Sequence, residues 1–374
     1  MTANADNTQQ AEQLITGLTA RPVVVPMKMP LHTASGAIDS AALVLIDLTT
    51  SSGEVGRSYL FAIGNHNLKP IVELLNAMGA FITGEPVAPL EIERLLRKRY
   101  ALTGVHNLIL FGISGIDMAL WDALAKSVDK PLVSILGGRP QPVKAYNSCG
   151  LGIMPPDQLA DEAVRLIEHG FSAVKLRLGR EHLRDDIIAV QAVKKALGPD
   201  ITLMCDFNQG LTVNEAIRRG RALDREGGLY WLEEPVCADD FNGNRKIREA
   251  IHTPLQLGEN FMGPEQMARA LAHDCCDFVM PDVQRISGVS GWLRAAALAE
   301  AYSVDMSSHL FPEFSRHLLA VTATRHWLEY VDWADPILDT PVQIDSGHVL
   351  ISNEPGAGIR WNEKAVARYT FQPD

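Results

Sequence analysis

From about residue 140 onward the chain repeats one pattern, a short apolar run followed by an amphipathic stretch, and few folds absorb so many copies of it. "SAVKLRLG" is followed by "REHLRDDIIAVQAVKKALG", where Leu183, Ile187, Val190 and Leu197 keep helical spacing and Gly198 suits the stop. Next come "ITLMCDFN" with "TVNEAIRRGRALDREGG", "LYWLEEP" with a polar helix, and "PLQLGEN" with "GPEQMARALAH". "DFVMPDV" with "GVSGWLRAAALAEAY", "VDMSSH" with "SRHLLAVTATRH", and "WLEYVDW" complete the series. The apolar runs are short and mostly not alternating, as strands buried on both faces of a parallel sheet read. So many consecutive units favour a closed β/α barrel over an open doubly wound sheet. No Gly-x-Gly-x-x-Gly follows the first strand, which argues against dinucleotide binding.

The first 140 residues read differently. "AALVLIDLTTSSGEVGRSYLF" has the pattern of two strands joined by a Ser-Ser-Gly turn, and helical segments follow around "LKPIVELLNAMGAFI" and "ISGIDMALWDALAKS". An α+β domain over residues 1–139 is expected to precede the barrel at 140–340, and 341–374 to return to that first domain. A formal charge of −11 argues against the basic surface that nucleic acid or an acidic membrane requires. Five cysteines, with Cys275 and Cys276 adjacent, fit a reduced, cytoplasmic chain better than a disulfide framework. The start, "MTANADNTQQAEQL", lacks a signal pattern, and no run approaches a membrane span.

In a β/α barrel, chemistry sits at the C-terminal ends of the strands. Those positions read Lys175 and Arg177, Asp206 and Asn208, Glu233, Glu259, Asp282, His309 and Glu329. From Asp206 to His309 the steps are 27, 26, 23 and 27 residues, close to one strand–helix unit each. Three carboxylates converging on one mouth repel, so Asp206, Glu233 and Glu259 point to a hard divalent cation. All-oxygen ligation favours Mg²⁺, with Mn²⁺ next. Any one of these acids alone would read as a salt bridge or cap; the set in phase does not. Asp282 can orient one ring nitrogen of His309 and raise its basicity, making a general acid–base pair. Glu329, facing the same site, is expected to be held protonated and to donate to a substrate oxygen.

These residues carry a family resemblance. The chain resembles the enolase superfamily, and within it the mandelate racemase subgroup, through "AVKLRLG", "CDFNQ", "WLEEP", "LGEN", "MPD", "GVSGW", "SSHLF" and "HWLE" in order. The resemblance implies an α+β capping domain on a modified (β/α)7β TIM-type barrel. It implies Mg²⁺ on Asp206, Glu233 and Glu259, His309 paired with Asp282 as a base, and Glu329 as an electrophile on the substrate carboxylate. Lys175 and Ser148 would contact that carboxylate, Asn208 would lie near the α-hydroxyl, and the assembly would be a homo-octamer. The implied reaction is removal of the α-proton of a 2-hydroxycarboxylate through an enediolate.

One position departs from the subgroup. The second basic residue of its Lys-x-Lys motif is here Arg177, which stays protonated and makes a poor base, while its fork suits an anion. Two-base racemisation is thereby weakened, leaving one-base chemistry with His309, dehydration of a hydroxy acid such as an acid sugar, or a proton relay through Arg177. The lid segments "PLHTASGAI" and "SYLFAI" offer Leu31, Ile38, Phe61 and Ile63, with Ser35 as the polar exception. That composition favours a small carboxylate with an apolar group over a polyhydroxy chain. Lys28 and His32 are expected to leave room for a second charge. A non-catalytic binding protein on the same scaffold is the alternative of another class.

Overall fold

A computed structural model describes residues 12–372. The opening "MTANADNTQQAEQL", which lacks a signal pattern, falls mostly on residues 1–11, outside those described. The chain opens with an antiparallel sheet in the order β1 (Ile15–Thr33), β2 (Gly36–Thr50) and β3 (Val55–Phe61). β1 was not evident from the sequence, because Pro22, Pro26 and Pro30 interrupt its alternation. It occupies the sheet edge, where a missing N–H is tolerated, and its register slips between Pro26 and Leu31. The turn between β1 and β2 carries the first lid segment to the barrel mouth.

Four helices follow: α1 (Leu68–Ile82), α2 (Pro89–Arg99), α3 (Asn107–Ser127) and the single turn α4 (Leu132–Ile135). α3 lies on the sheet through glycines. A Cβ on Gly56 of β3 would stand 2.0 Å from the Ala119 carbonyl oxygen, and one on Gly115 would stand 2.5 Å from Ile46. The helix also corrects an expectation. Eighteen consecutive residues of its 21 reach a mean hydropathy of 1.6, enough for a membrane span, yet 78% of that stretch is buried in the protein. Gly112, Gly115, Asp117 and Asp122 break the apolar run to the eye without lowering its average below that of a span. Both acids are buried and partnered: Asp117 accepts from Ser290, and Asp122 pairs with Lys126.

The second part alternates strictly. The order is β4 (Val143–Asn147), α5 (Pro156–Leu166), β5 (Ala173–Arg177), α6 (Leu183–Leu197), β6 (Thr202–Asp206) and α7 (Val213–Glu226). It continues through β7 (Leu229–Glu233), α8 (Phe241–Ala250), β8 (Leu255–Leu257), α9 (Pro264–Ala272), β9 (Phe278–Val279) and α10 (Gly288–Tyr302). At the seventh strand position only bridges remain, Val279 to Met306 and Asp282 to His309. After α11 (Pro312–Ala320), β10 (Leu328–Tyr330) pairs parallel with β4 and closes the barrel. The architecture is a capped (β/α)7β barrel.

Side chains repeat with period two along a strand, so the residue two before each site position shares its inward face. Tyr146, Ala173, Met204, Trp231 and Trp327 form a separate buried cluster in that layer. They lie two residues before Ser148, Lys175, Asp206, Glu233 and Glu329. A dry aromatic floor therefore underlies the charged layer and lowers the local dielectric.

The C-terminal segment takes an indirect path. The hairpin β11 (Ile344–Asp345) and β12 (His348–Val349) adds antiparallel to β4 before α12 (Glu363–Tyr369) reaches the cap. There Glu363 pairs with Arg21 at 2.6 Å and the Phe371 N–H donates to the Pro22 carbonyl at 2.9 Å.

Candidate active site

Asp206, Glu233 and Glu259 each place an oxygen within 4.8 Å of the other two. The first two end β6 and β7. Glu259 follows Gly258, whose φ of +140 and whose lack of a Cβ let the chain pass close to Met280. Burial and mutual repulsion push Glu233 well above the carboxylate range and raise Asp206. Glu259 is partly buried, which opposes its charge, but His309 and Lys175 hold it below its ordinary value. An all-oxygen trio of this kind, two of its members buried, fits a hard dication, whose charge would relieve the repulsion.

Lys175 stands at the centre. Its Nζ lies 2.7 Å from Glu233, 2.7 Å from Glu329 and 3.6 Å from Asp206. Burial opposes its charge, but these carboxylates win and raise it well above the lysine value. Across the mouth, His309 donates from Nδ1 to Asp282 Oδ2 at 2.7 Å, while the backbone N–H groups of Gln284 and Arg285 fix Asp282 Oδ1. That hydrogen bond leaves Nε2 toward the cavity, 3.3 Å from Glu259 and 3.7 Å from Glu329. Burial lowers the ring, yet the two glutamates and Asp282 push it up to about 9. Positive charge on Glu259 would cancel much of that push and return the imidazole toward its basic form.

A cavity of about 280 Å³ joins these groups to the cap. Leu31, Ser35, Ile38, Phe61 and Ile63 line it from the lid side, and Lys175, Arg177, Asp206, Asn208, Glu259, Asp282, His309 and Glu329 from the barrel. Asn208 donates through its backbone N–H and Nδ2 to Asp206, at 2.7 and 2.8 Å, and its Oδ1 has no partner among the described residues. Ser35 ties the hairpin turn to the Asn208 carbonyl at 2.5 Å.

Four expectations are corrected. Arg177 does not present its fork to the cavity. Nη1 donates to the Gly150 and Ser148 carbonyls at 2.7 and 3.1 Å and Nη2 to Ser148 Oγ at 2.7 Å, leaving Nε alone without a partner among the described residues. Arginine outreaches lysine and finds strand-end carbonyls that a shorter cation would miss. Ser148 consequently sits behind Arg177, fully buried and outside the cavity lining. Glu329 is an acceptor on both oxygens, from Lys175 and from the Leu310 N–H at 3.0 Å. Burial alone would raise it, but Lys175, His309 and Arg177 hold it far below the carboxylate range, so it is ionised as it stands. Nor do Lys28 and His32 serve the cavity: Lys28 pairs with Asp332 at 2.9 Å, and His32 faces another cleft.

Further residues line the cavity that sequence reasoning did not single out: Gln209, Asn260, Gln284, Arg285 and Trp333. Asn260 bridges Glu234 at 2.6 Å and Glu259 at 3.2 Å and accepts from Arg285 at 2.5 Å. Gln209 and Asn260 directly follow site positions, so adjacency to a strand end was the available signal.

A capped barrel whose mouth gathers acid oxygens beside a polarised histidine defines a metal-assisted enzyme. Residues 15–137 match the family described as the mandelate racemase / muconate lactonizing enzyme N-terminal domain, and residues 158–365 the enolase C-terminal domain-like family. An enolase from Bradyrhizobium, solved with magnesium and mandelic acid, is 42% identical with a TM-score of 0.93, covering 97% of this chain and all of that one. An enolase from the alpha-proteobacterium bal199, solved with bound magnesium, is 44% identical with a TM-score of 0.94 over 96% of this chain and 100% of that one. The L-talarate/galactarate dehydratase of Salmonella typhimurium is 32% identical over 281 residues, 74% of this chain and 70% of that protein. The chain belongs to the enolase superfamily, in its mandelate racemase subgroup. It is a Mg²⁺-dependent enzyme, an isomerase or lyase, and the binding-protein alternative falls away.

Proposed function

We propose that the enzyme removes the α-proton of a 2-hydroxycarboxylate bearing an apolar substituent, with His309 as its single base. The observation that carries this is the contrast between His309, whose Nε2 faces the cavity, and Arg177, whose terminal nitrogens are spent on carbonyls and Ser148. Asp282 orients the ring and stabilises the imidazolium once the proton arrives.

Removing a proton beside a carboxylate concentrates negative charge on the resulting enediolate. Asp206, Glu233 and Glu259 would hold Mg²⁺, which would supply Lewis-acid stabilisation of that charge. Lys175 supplies a second positive charge at the substrate carboxylate. An incoming carboxylate competes with Glu329 for Lys175, and Glu329, freed from its cation, rises toward a protonated form that can donate to a substrate oxygen. Asn208 Oδ1, lacking a partner among the described residues, accepts the α-hydroxyl. Leu31, Ile38, Phe61 and Ile63 take the apolar group, and the mandelic acid bound to the Bradyrhizobium relative supports an aromatic one.

Dehydration is the second reading, favoured by the immobilised Arg177 and the 32% identical dehydratase. A base that keeps the proton can return it to a departing β-hydroxide, releasing water. We take the functional division of the chain at 139/140 and 340/341, and read the protein as a cytoplasmic homo-octamer with neither nucleic-acid nor membrane partners. The homo-octamer rests on the subgroup resemblance alone. Light scattering against the 40.9 kDa protomer tests the assembly. For the reaction, the Mg²⁺-loaded enzyme is incubated in deuterated water with 2-hydroxycarboxylates of graded side chain. Mass and optical rotation are followed together; deuterium at Cα is expected, and silence across the series with metal bound contradicts the reading.

A further inference from the structure

Gln284 has no place in the reaction described above, yet it joins two parts of the site that lie far apart in the chain. Its side-chain amide pairs with the backbone of Phe61 as a neighbouring strand would: the Phe61 N–H donates to Oε1 at 2.7 Å, and Nε2 donates to the Phe61 carbonyl at 3.1 Å. Phe61 ends β3, whose other edge is occupied by β2, so these two groups face away from the sheet. Without Gln284 they would be buried and unpaired, which is costly. Gln284 is itself only 2% exposed.

The backbone of the same residue is tied to the base. Its N–H donates to Asp282 Oδ1 at 2.7 Å, and Asp282 Oδ2 holds His309 Nδ1 at 2.7 Å. One residue therefore fixes the Phe61 wall of the cap relative to the imidazole of the barrel. Phe61 also packs on Trp333, centroids 5.2 Å apart, and both rings line the cavity beside Ile63.

We infer that Gln284 is a positioning residue that locks the apolar wall at Phe61 to the His309–Asp282 pair and thereby selects the substituent the enzyme accepts. The inference rests on the proposed α-proton abstraction. Its mechanism is geometric. A substrate whose carboxylate is fixed at Lys175 has its side chain aimed at the cap, and the distance from wall to base decides whether a large group or a methyl is held in a reactive pose.

The test compares wild type with Gln284→Met, which keeps the volume and removes both hydrogen bonds, in Mg²⁺-loaded enzyme. α-Deuterium exchange is measured with lactate, 2-hydroxyisocaproate and mandelate. The expected result is a fall of about tenfold or more in the kcat/KM preference for mandelate over lactate, carried mainly by KM. The pH profile of kcat should hold its shape, because the backbone N–H groups on Asp282 remain. A variant as selective as wild type overturns the inference, as does an equal loss on all three acids, which would mark a purely structural role. Should Gln284→Met fail to fold, Gln284→Asn keeps the amide but is one methylene shorter, so it weakens both bonds to Phe61 without adding charge, and a smaller fall in the same direction is expected. A wild type that exchanges none of the acids while binding metal contradicts the proposed reaction itself, and the role assigned to Gln284 goes with it.

Discussion

Arg177 decides more about this enzyme than any other single residue. A lysine there would be a second base on a substrate held by Lys175; the arginine keeps its proton and uses its length to staple residues 148–150. Arg177→Lys restores a titratable amine beside Lys175, whose charge lowers the newcomer's pKa. The variant is expected to racemise the acid that wild type exchanges with retention, read as decay of optical rotation. No gain would shift the cause to the lid. The strand-end charges were legible because they recur at nearly constant spacing and charged residues rarely face a barrel interior without a purpose. Ser148 and Glu329 were misjudged for a shared reason. Sequence places a side chain at the mouth but does not show which neighbour it satisfies, and Arg177 and Lys175 claimed those two first. Gln284 carries no periodic or charge signal, and only its contacts reveal it.

At the scale of elements, the cap depends on how closely α3 approaches β3. Gly56 is what allows it, since any Cβ would meet the Ala119 carbonyl at 2.0 Å and the Ala123 Cβ at 2.8 Å. Neither contact is a flexible side-chain end, so helix and sheet must separate. Gly56→Ala is expected to cost on the order of 1–3 kcal/mol in urea denaturation of the whole chain, with an unchanged midpoint contradicting the packing account. α1 was legible to the residue, because Leu68, Ile71, Leu75, Met78 and Ile82 form one buried stripe. Two elements were not. β1 is broken by prolines that only an edge position excuses, and the seventh barrel strand is reduced to bridges whose "VDMSSH" reads like its longer neighbours. The tail "GHVLISNEP" carries strand and turn signals, but two-residue strands have no period from which their pairing with β4 could be read.

For the whole molecule, the barrel floor predicts an acid limit to stability. His326 bonds to Tyr230 Oη at 2.7 Å among Trp231, Phe278 and Trp327, and burial pushes its pKa down to about 4 from 6.5. A depressed folded pKa means the unfolded chain takes the proton first. Stability from the neutral ring is therefore complete above pH 6.5 and lost as pH falls toward 4. Between pH 7 and 4.5 the loss should be about 2 kcal/mol. His326→Phe, which keeps the aromatic packing, should flatten that part of the urea-stability profile; an identical slope would contradict the assignment. Cap, floor and mouth together serve one claim, that a single histidine moves the proton. Its most direct measurement is the configuration at Cα during deuterium exchange of a resolved 2-hydroxycarboxylate by the Mg²⁺-loaded enzyme. Exchange with optical activity retained, or with water lost, and abolished by about 10² to 10⁴-fold in His309→Asn, is the predicted result. Loss of optical activity at the rate of exchange would contradict it, because a second base would then be at work.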